Sequence, residues 1–131
     1  MTDRTTTDPE TVARAYIDAV GDKRFDRVVE LLHPDLEFAV GDQRRGRDDY
    51  LAVLRGLGTV LERNDLVRTI VDGDDVCVVY DFVTDTPAGA VTCAEWLTVE
   101  AGRIRSIRLI FDSGRWPEVM AEVQRRVAVP G

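Results

Sequence analysis

Two carboxylates stand within apolar stretches in the second half of the chain, and they are the first residues whose chemistry could define a function. Asp81 lies in the run 76–84, and Glu95 lies in the run 91–99. A carboxyl group in apolar surroundings resists ionisation, so its pKa rises toward the range that suits proton transfer. A second carboxylate nearby separates the roles of acid and base. The alternative for Asp81 is structural: it faces solvent at a strand end or pairs with an arginine.

The elements that must position these residues can be predicted from periodicity and end signals. Asp8, Pro9 and Glu10 are typical of a helix start, and an apolar stripe follows at helical spacing up to Gly21. That stripe consists of Val12, Ala13, Tyr16, Ile17 and Val20. The other predicted elements are a helix ending at His33, a strand over 36–40, a helix opening at Gly46, strands over 66–71, 76–84, 91–99 and 104–111, and a last helix from Trp116.

Helices come first in this order and most strands follow, which predicts an α+β fold rather than a parallel α/β sheet. A strongly curved antiparallel sheet wrapped around three helices would form a cone with an apolar interior. The chain of 131 residues is long enough for one domain with a core of its own. We therefore expect a single domain over 1–131, with 1–7 as a flexible lead.

Strand parity divides each predicted strand into two faces, because alternate residues point to opposite sides. One face of 76–84 carries Cys77, Val79, Asp81 and Val83, and the other carries Val78, Tyr80 and Phe82. Val91, Cys93, Glu95 and Leu97 share a face of 91–99, and Ile107, Leu109 and Phe111 share a face of 104–111. The turn near Pro87 is expected to bring Asp81 roughly across from Cys93 and Glu95.

Composition excludes several classes of function. With 17 basic against 24 acidic residues the net charge is −7, which disfavours nucleic acid as a partner. No apolar run approaches the ~20 residues of a membrane-spanning helix, and 1–7 lacks the apolar core of a secretion signal. Cys77 and Cys93 are expected to be reduced and buried in a cytoplasmic protein. With a single histidine, a metal site is not expected.

Several segments together resemble a known family. The segments 13–20 (ARAYIDAV), 31–38 (LLHPDLEF), 46–50 (GRDDY) and 102–107 (GRIRSI), with Phe111 and Asp112, are similar to the SnoaL-like branch of the nuclear transport factor 2-like superfamily. The resemblance runs over essentially the whole chain with its elements in order. It implies a cone-shaped α+β fold, often homodimeric, whose enzymes include polyketide cyclases, ketosteroid isomerases and limonene-epoxide-type hydrolases that need no cofactor. Non-catalytic binding domains share this fold.

The resemblance also implies which faces line the cone, namely those that carry Asp81, Glu95 and Leu109. Tyr16 falls where ketosteroid isomerases place an oxyanion-stabilising tyrosine, and the alternative for it is a core aromatic. The substrate-binding wall is expected to comprise Phe38, Val40, Val79, Val91, Cys93, Leu109 and Phe111. No family active site is complete, however. The isomerase acids fall near Val40 and Val91, and the Asp-Arg-Asp set of the epoxide hydrolases keeps only Asp81.

The function expected from the sequence is a cofactor-independent enzyme that acts on a small, largely apolar metabolite. Proton transfer by Asp81, with Glu95 as its second carboxylate, would drive isomerisation, cyclisation or ring opening, and Tyr16 would polarise a substrate oxygen. The alternative is a non-catalytic ligand-binding or dimerisation domain of the same fold. A homodimer is expected through the sheet face that carries Tyr80, Phe82, Trp96 and Ile110.

Overall fold

The computed structural model describes residues 8–128, so the predicted lead at 1–7 lies outside the described residues. This part of the chain forms four helices and six strands. In order they are α1 (Pro9–Gly21), α2 (Phe25–Leu31), β1 (Leu32–Val40), β2 (Gln43–Arg45), α3 (Arg47–Leu57), β3 (Leu61–Asp72), β4 (Asp75–Thr84), β5 (Ala90–Glu100), β6 (Arg103–Phe111) and α4 (Trp116–Ala128).

All six strands join one curved sheet in the order β2-β1-β6-β5-β4-β3. Neighbouring strands are antiparallel except β1 and β6, which run parallel. The α+β class predicted from the sequence is confirmed. The predicted elements differ in their extents: β3 begins five residues before the predicted 66, β1 begins at Leu32 instead of 36, and β2 was not predicted.

Helix α1 begins where the sequence signals it. The Asp8 carboxylate accepts a hydrogen bond from the main-chain N–H of Thr11 at 3.0 Å, and Pro9 occupies the first turn, where its missing N–H costs nothing. The buried stripe of the helix includes Val12, Tyr16 and Ile17, which pack against the sheet. Tyr16 is thereby fixed inside the fold with its hydroxyl pointing away from the helix.

The sheet buries one face and leaves much of the other half-buried or exposed. Along β5 every second residue from Val91 to Val99 is buried, and along β4 the buried set runs from Val76 to Thr84. Helices α1, α3 and α4 lie on the buried side, and α4 places Trp116 edge-on against Phe111 at a centroid distance of 4.9 Å. The concave face of the sheet and these helices therefore enclose a shared interior.

No helix within residues 8–128 combines the length and apolar character that crossing a bilayer requires.

Candidate functional site

A cavity of about 780 Å³ lies between the concave face of the sheet and helices α1, α3 and α4. Most of its wall is apolar or aromatic. The apolar lining residues include Ile17, Val20, Phe38, Val40, Val53, Leu54, Leu57, Phe82, Leu109, Phe111, Trp116 and Met120. This volume falls within the range of small-molecule sites, in which a few polar groups converge on a mainly hydrophobic wall.

Glu95 is the carboxylate inside this cavity. It lies on β5 directly between Val78 of β4 and Leu109 of β6, and only 3% of its surface is exposed. The alternation of β5 turns it inward together with Cys93 and Leu97. Burial raises the pKa of Glu95 to about 7, although hydrogen bonds from two tyrosines hold that pKa lower than burial alone would.

Three tyrosines form a hydrogen-bonded chain with Glu95. Tyr16 donates to Oε1 of Glu95 at 3.3 Å, and Tyr80 donates to Oε2 through a short hydrogen bond. The hydroxyl of Tyr50, from α3, is hydrogen-bonded to that of Tyr16. Since each phenol has one proton and that of Tyr16 is directed to Glu95, Tyr50 must be the donor to Tyr16. All three phenol protons therefore point along the chain toward the ionised carboxylate.

The tyrosines remain hydrogen-bond donors over the physiological pH range. Burial, with the nearby negative charge of Glu95, raises the pKa of Tyr16, Tyr50 and Tyr80 well above the ordinary value of 10.0. The ring of Tyr50 stacks on Phe38 with centroids 4.1 Å apart, which fixes its orientation. The site thus combines one carboxyl group that can exchange a proton near neutral pH with phenols that stay protonated and keep their donor hydrogens.

Asp81 lies on the opposite face of the sheet, and the expectation that it lines the cavity is wrong. Its neighbours across the strands are Asp65 and Thr92, and the Thr92 hydroxyl donates to it at 3.0 Å. The hairpin pairs Cys93 with Tyr80 rather than with Asp81. A difference of one residue in register exchanges the two faces of a strand, so Tyr80 takes the inward position.

The expected substrate-binding wall is mostly found where it was predicted. Phe38, Val40, Cys93, Leu109 and Phe111 line the cavity, as does Tyr16. Val79 shares the outer face with Asp81, so its expected place in the wall is also wrong. Val91 is buried on the inner face but is not among the lining residues.

Sequence reasoning missed two members of the polar chain. Tyr50 belongs to the helix that was predicted to open at Gly46, but no role was assigned to it. Tyr80 was placed on the outer face. Gln43 and Arg45 on the unpredicted strand β2 also line the cavity.

No group of three histidine, cysteine or acidic side chains close enough to share a metal ion occurs among residues 8–128. Cys93 does not offer a ready nucleophile either. Burial and the charge of Glu95 raise the pKa of its thiol to about 12, so almost none of it is thiolate at neutral pH.

Sequence comparison shows which family the chain belongs to. The model of the SnoaL-like domain matches residues 13–107, and the chain belongs to this family. Comparison with curated protein sequences gives no match.

Three solved structures illustrate the fold. An NTF2-like protein of unknown function from Cytophaga hutchinsonii is 19% identical, with a TM-score of 0.72 over 84% of this chain and 95% of that chain. A candidate ketosteroid isomerase from Kribbella flavida is 19% identical, with a TM-score of 0.69 over 83% and 78%. A candidate polyketide cyclase from Sinorhizobium meliloti is 22% identical, with a TM-score of 0.67 over 76% and 93%. At these identities the similarity establishes the fold, whose members include proteins named for cyclisation and isomerisation.

Proposed function

We propose that this protein is a cofactor-independent enzyme that transfers a proton on a small, largely apolar carbonyl compound, in an isomerisation or a cyclisation. The observation that carries the proposal is the position of Glu95: a buried carboxyl group, hydrogen-bonded through both oxygens, at the wall of an apolar cavity of about 780 Å³. A pKa of about 7 means that both protonation states are populated at neutral pH. The group can therefore accept a proton and return it within one turnover.

The first step is removal of a proton from the carbon next to the substrate carbonyl. The ionised Glu95 takes this proton, and the electron pair of the broken C–H bond moves onto the carbonyl oxygen as an enolate. Each carboxylate oxygen accepts one phenol proton and retains further acceptor capacity, so the base is not blocked by its hydrogen bonds.

The hydrogen bonds from the tyrosine hydroxyls change when this proton is transferred. Once Glu95 carries a proton it no longer requires hydrogen bonds from both Tyr16 and Tyr80, and the Tyr16 hydroxyl is free to donate to the new oxyanion. Negative charge moves from the carboxylate to the substrate oxygen, and the Tyr16 hydroxyl, which is already held in the cavity, donates a hydrogen bond to that oxygen. Glu95 then returns its proton to a different carbon in an isomerisation, or to the alkoxide left by ring closure in a cyclisation.

Epoxide opening, one of the reactions considered from the sequence, has the least support. Asp81 is the one residue of the epoxide hydrolases' Asp-Arg-Asp set that this sequence retains. It lies on the outer face of the sheet, away from the cavity. In this proposal Glu95 acts alone, because Asp81, the second carboxylate expected beside it, does not face the cavity. The other acidic residue at the cavity is Asp42, on the exposed turn between β1 and β2.

A non-catalytic binding domain is the second candidate, and the same hydrogen bonds favour it. A carboxyl group whose two oxygens are both satisfied by tyrosines is also a common way to stabilise a polar group inside a protein. The two candidates differ in whether Glu95 exchanges protons with a bound ligand.

Proton exchange on apolar ketones in D2O distinguishes the two candidates. Tetralone and acetophenone, incubated with the protein, report enolisation by loss of their α-proton signals in NMR spectra. We expect Glu95→Gln to lower the protein-dependent exchange rate by roughly 10²–10⁴-fold, the usual contribution of a positioned acid or base. Asp81→Asn is the matched control and should leave the rate unchanged. Ketone binding without exchange would favour the binding domain, and equal rates in Glu95→Gln and the wild type would eliminate Glu95 as the base.

A further inference from the structure

Strand β2 brings two polar side chains to the rim of the cavity. Gly41 adopts a positive φ of 57°, which glycine tolerates, and the chain reverses within two residues to pair Gln43–Arg45 with β1. Arg45 pairs with Phe38 and Gln43 with Val40, both of which line the cavity. Because directly paired residues of antiparallel strands share a face, Arg45 and Gln43 point to the concave side.

Arg45 is a half-buried cation without an anion. Within residues 8–128 its guanidinium has no carboxylate oxygen within 4.0 Å, whereas Arg126 is paired with Asp85 at 2.8 Å. Asp42 lies on the exposed turn nearby and forms no ion pair with it. A guanidinium that loses part of its water shell needs compensation from an opposite charge. The cavity therefore offers a place for a negative group beside Arg45.

The position of Arg45 relative to Glu95 indicates which part of a ligand it would meet. Gln43, Val40, Leu109 and Glu95 form one continuous row across four neighbouring strands. Three strand spacings of about 4.8 Å separate the ends of this row by roughly 14 Å along the sheet. Arg45 lies on the same edge strand as Gln43, so it is also three strands away from Glu95, with Phe38 and Leu109 on the strands between them.

We propose that Arg45, assisted by the amide of Gln43, binds a carboxylate at the end of the substrate that is remote from Glu95. The ligand would be an apolar, ring-bearing carboxylic acid whose reacting carbon faces Glu95 while its carboxylate meets the guanidinium. Planar guanidinium groups suit carboxylates because they offer two parallel N–H donors. This inference rests on the proposed function, since it specifies the substrate class of the same cavity.

Paired probes that differ only in charge test the inference. Naphthaleneacetate and naphthaleneacetamide have the same ring system, and calorimetry at low ionic strength measures their affinities. We expect the wild type to bind the acid about tenfold more tightly than the amide, a typical effect for one charge-assisted contact. Arg45→Gln should abolish this preference by weakening the binding of the acid more than that of the amide. Arg44→Gln is the matched control, because Arg44 pairs with Ala39 and faces the other side.

Four outcomes would overturn the carboxylate site. Three of them concern the preference for the acid: equal affinity for acid and amide in the wild type, a preference that survives Arg45→Gln, and a preference that Arg44→Gln removes equally well. The fourth is that neither probe binds the wild type at millimolar concentration. Each result leaves the proton-transfer proposal standing on its own test, since the exchange assay uses neutral ketones that need no contact with Arg45.

Discussion

Tyr80 and Glu95 lie on neighbouring strands, two residues apart in register, and the phenol of Tyr80 donates a hydrogen bond to Oε2 of Glu95. Both side chains are buried on the concave face. This contact joins the hairpin β4–β5 to the polar chain that Tyr16 and Tyr50 complete from the helices. The same contact gives Glu95 a donor that stabilises its ionised form and so limits the rise of its pKa.

The first prediction concerns stability and pH. The pKa of Glu95 in the folded protein, about 7, lies above the ordinary value of 4.5. The folded state therefore holds the proton more tightly, and its stability falls as pH rises from about 4.5 through 7. A shift of this size corresponds to about 3 kcal/mol in the free energy of unfolding.

Urea denaturation of the wild type and Glu95→Gln at pH 5 and pH 8 measures this effect. The stability of Glu95→Gln relative to the wild type should increase between the two pH values, because glutamine does not ionise. Other titrating groups are common to both proteins and cancel in the difference. A difference that is the same at both pH values would mean that Glu95 ionises normally in the fold.

The second prediction concerns Tyr80. Replacement of Tyr80 by Phe removes a donor that stabilises the carboxylate, so the pKa of Glu95 should rise further. The carbon-13 chemical shift of the Glu95 carboxyl group across a pH titration reports this directly. Tyr50→Phe is the control, since Tyr50 is hydrogen-bonded to Tyr16 and should move the midpoint less. An unchanged midpoint in Tyr80→Phe would contradict the assigned hydrogen bond.

How far the sequence could specify this site is clearest from the two central strands. In β5 the inward residues Val91, Cys93 and Leu97 alternate with Thr92, Trp96 and Thr98, so the inward direction of Glu95 followed from the pattern. In β4 both faces are apolar, and periodicity could not decide between Asp81 and Tyr80. The pairing of Tyr80 with Cys93, which decides it, is a property of the folded hairpin.

The helices were easier to predict than the short strands. Asp8 and Pro9 mark the start of α1, and its apolar stripe placed Tyr16 inside the fold. Strand β2 has only three residues, none of them apolar, so no hydrophobic pattern could predict it. Its inward face depends on the turn at Gly41 and on pairing with β1. Only this pairing shows that Arg45, and not its neighbour Arg44, faces the cavity.

The third prediction concerns assembly, which we propose is a homodimer formed through the outer face of the sheet. Tyr80 and Phe82, expected on that face, point inward instead, but Trp96 and Ile110 remain 51% and 63% exposed there. Asp81 and Arg108 lie on the same face without ion-pair partners among residues 8–128. A two-fold arrangement allows these opposite charges to meet around the apolar residues.

Analytical ultracentrifugation at micromolar concentration tests the dimer. Ile110→Glu should give a monomer, because it places a charge within the apolar part of an interface of about 1,200–2,000 Å². Val127→Glu is the matched control, since Val127 is 60% exposed but lies on α4. A monomeric wild type, or equal dissociation by both substitutions, would contradict an interface at this face.

The fourth prediction concerns the cysteines. Burial and the adjacent Glu95 raise the pKa of Cys93 to about 12, so iodoacetamide at pH 8 should leave this thiol unmodified in the folded protein. Cys77 is half-buried on the outer face and should react faster. Mass spectrometry of the alkylated peptides, with a urea-unfolded sample as reference, measures both rates. Rapid modification of Cys93 in the folded protein would contradict both the burial of its thiol and the rise of its pKa.

The central claim is that Glu95 is the proton-transfer group of the cavity, and the pH dependence of ketone exchange tests it most directly. The protein-dependent rate should rise with pH in a one-proton transition near pH 7, because the ionised carboxylate is the base. In Glu95→Gln this transition should vanish together with most of the rate. A rate independent of pH between 5 and 9, or the same transition in Glu95→Gln, would contradict the assignment of Glu95 as the base.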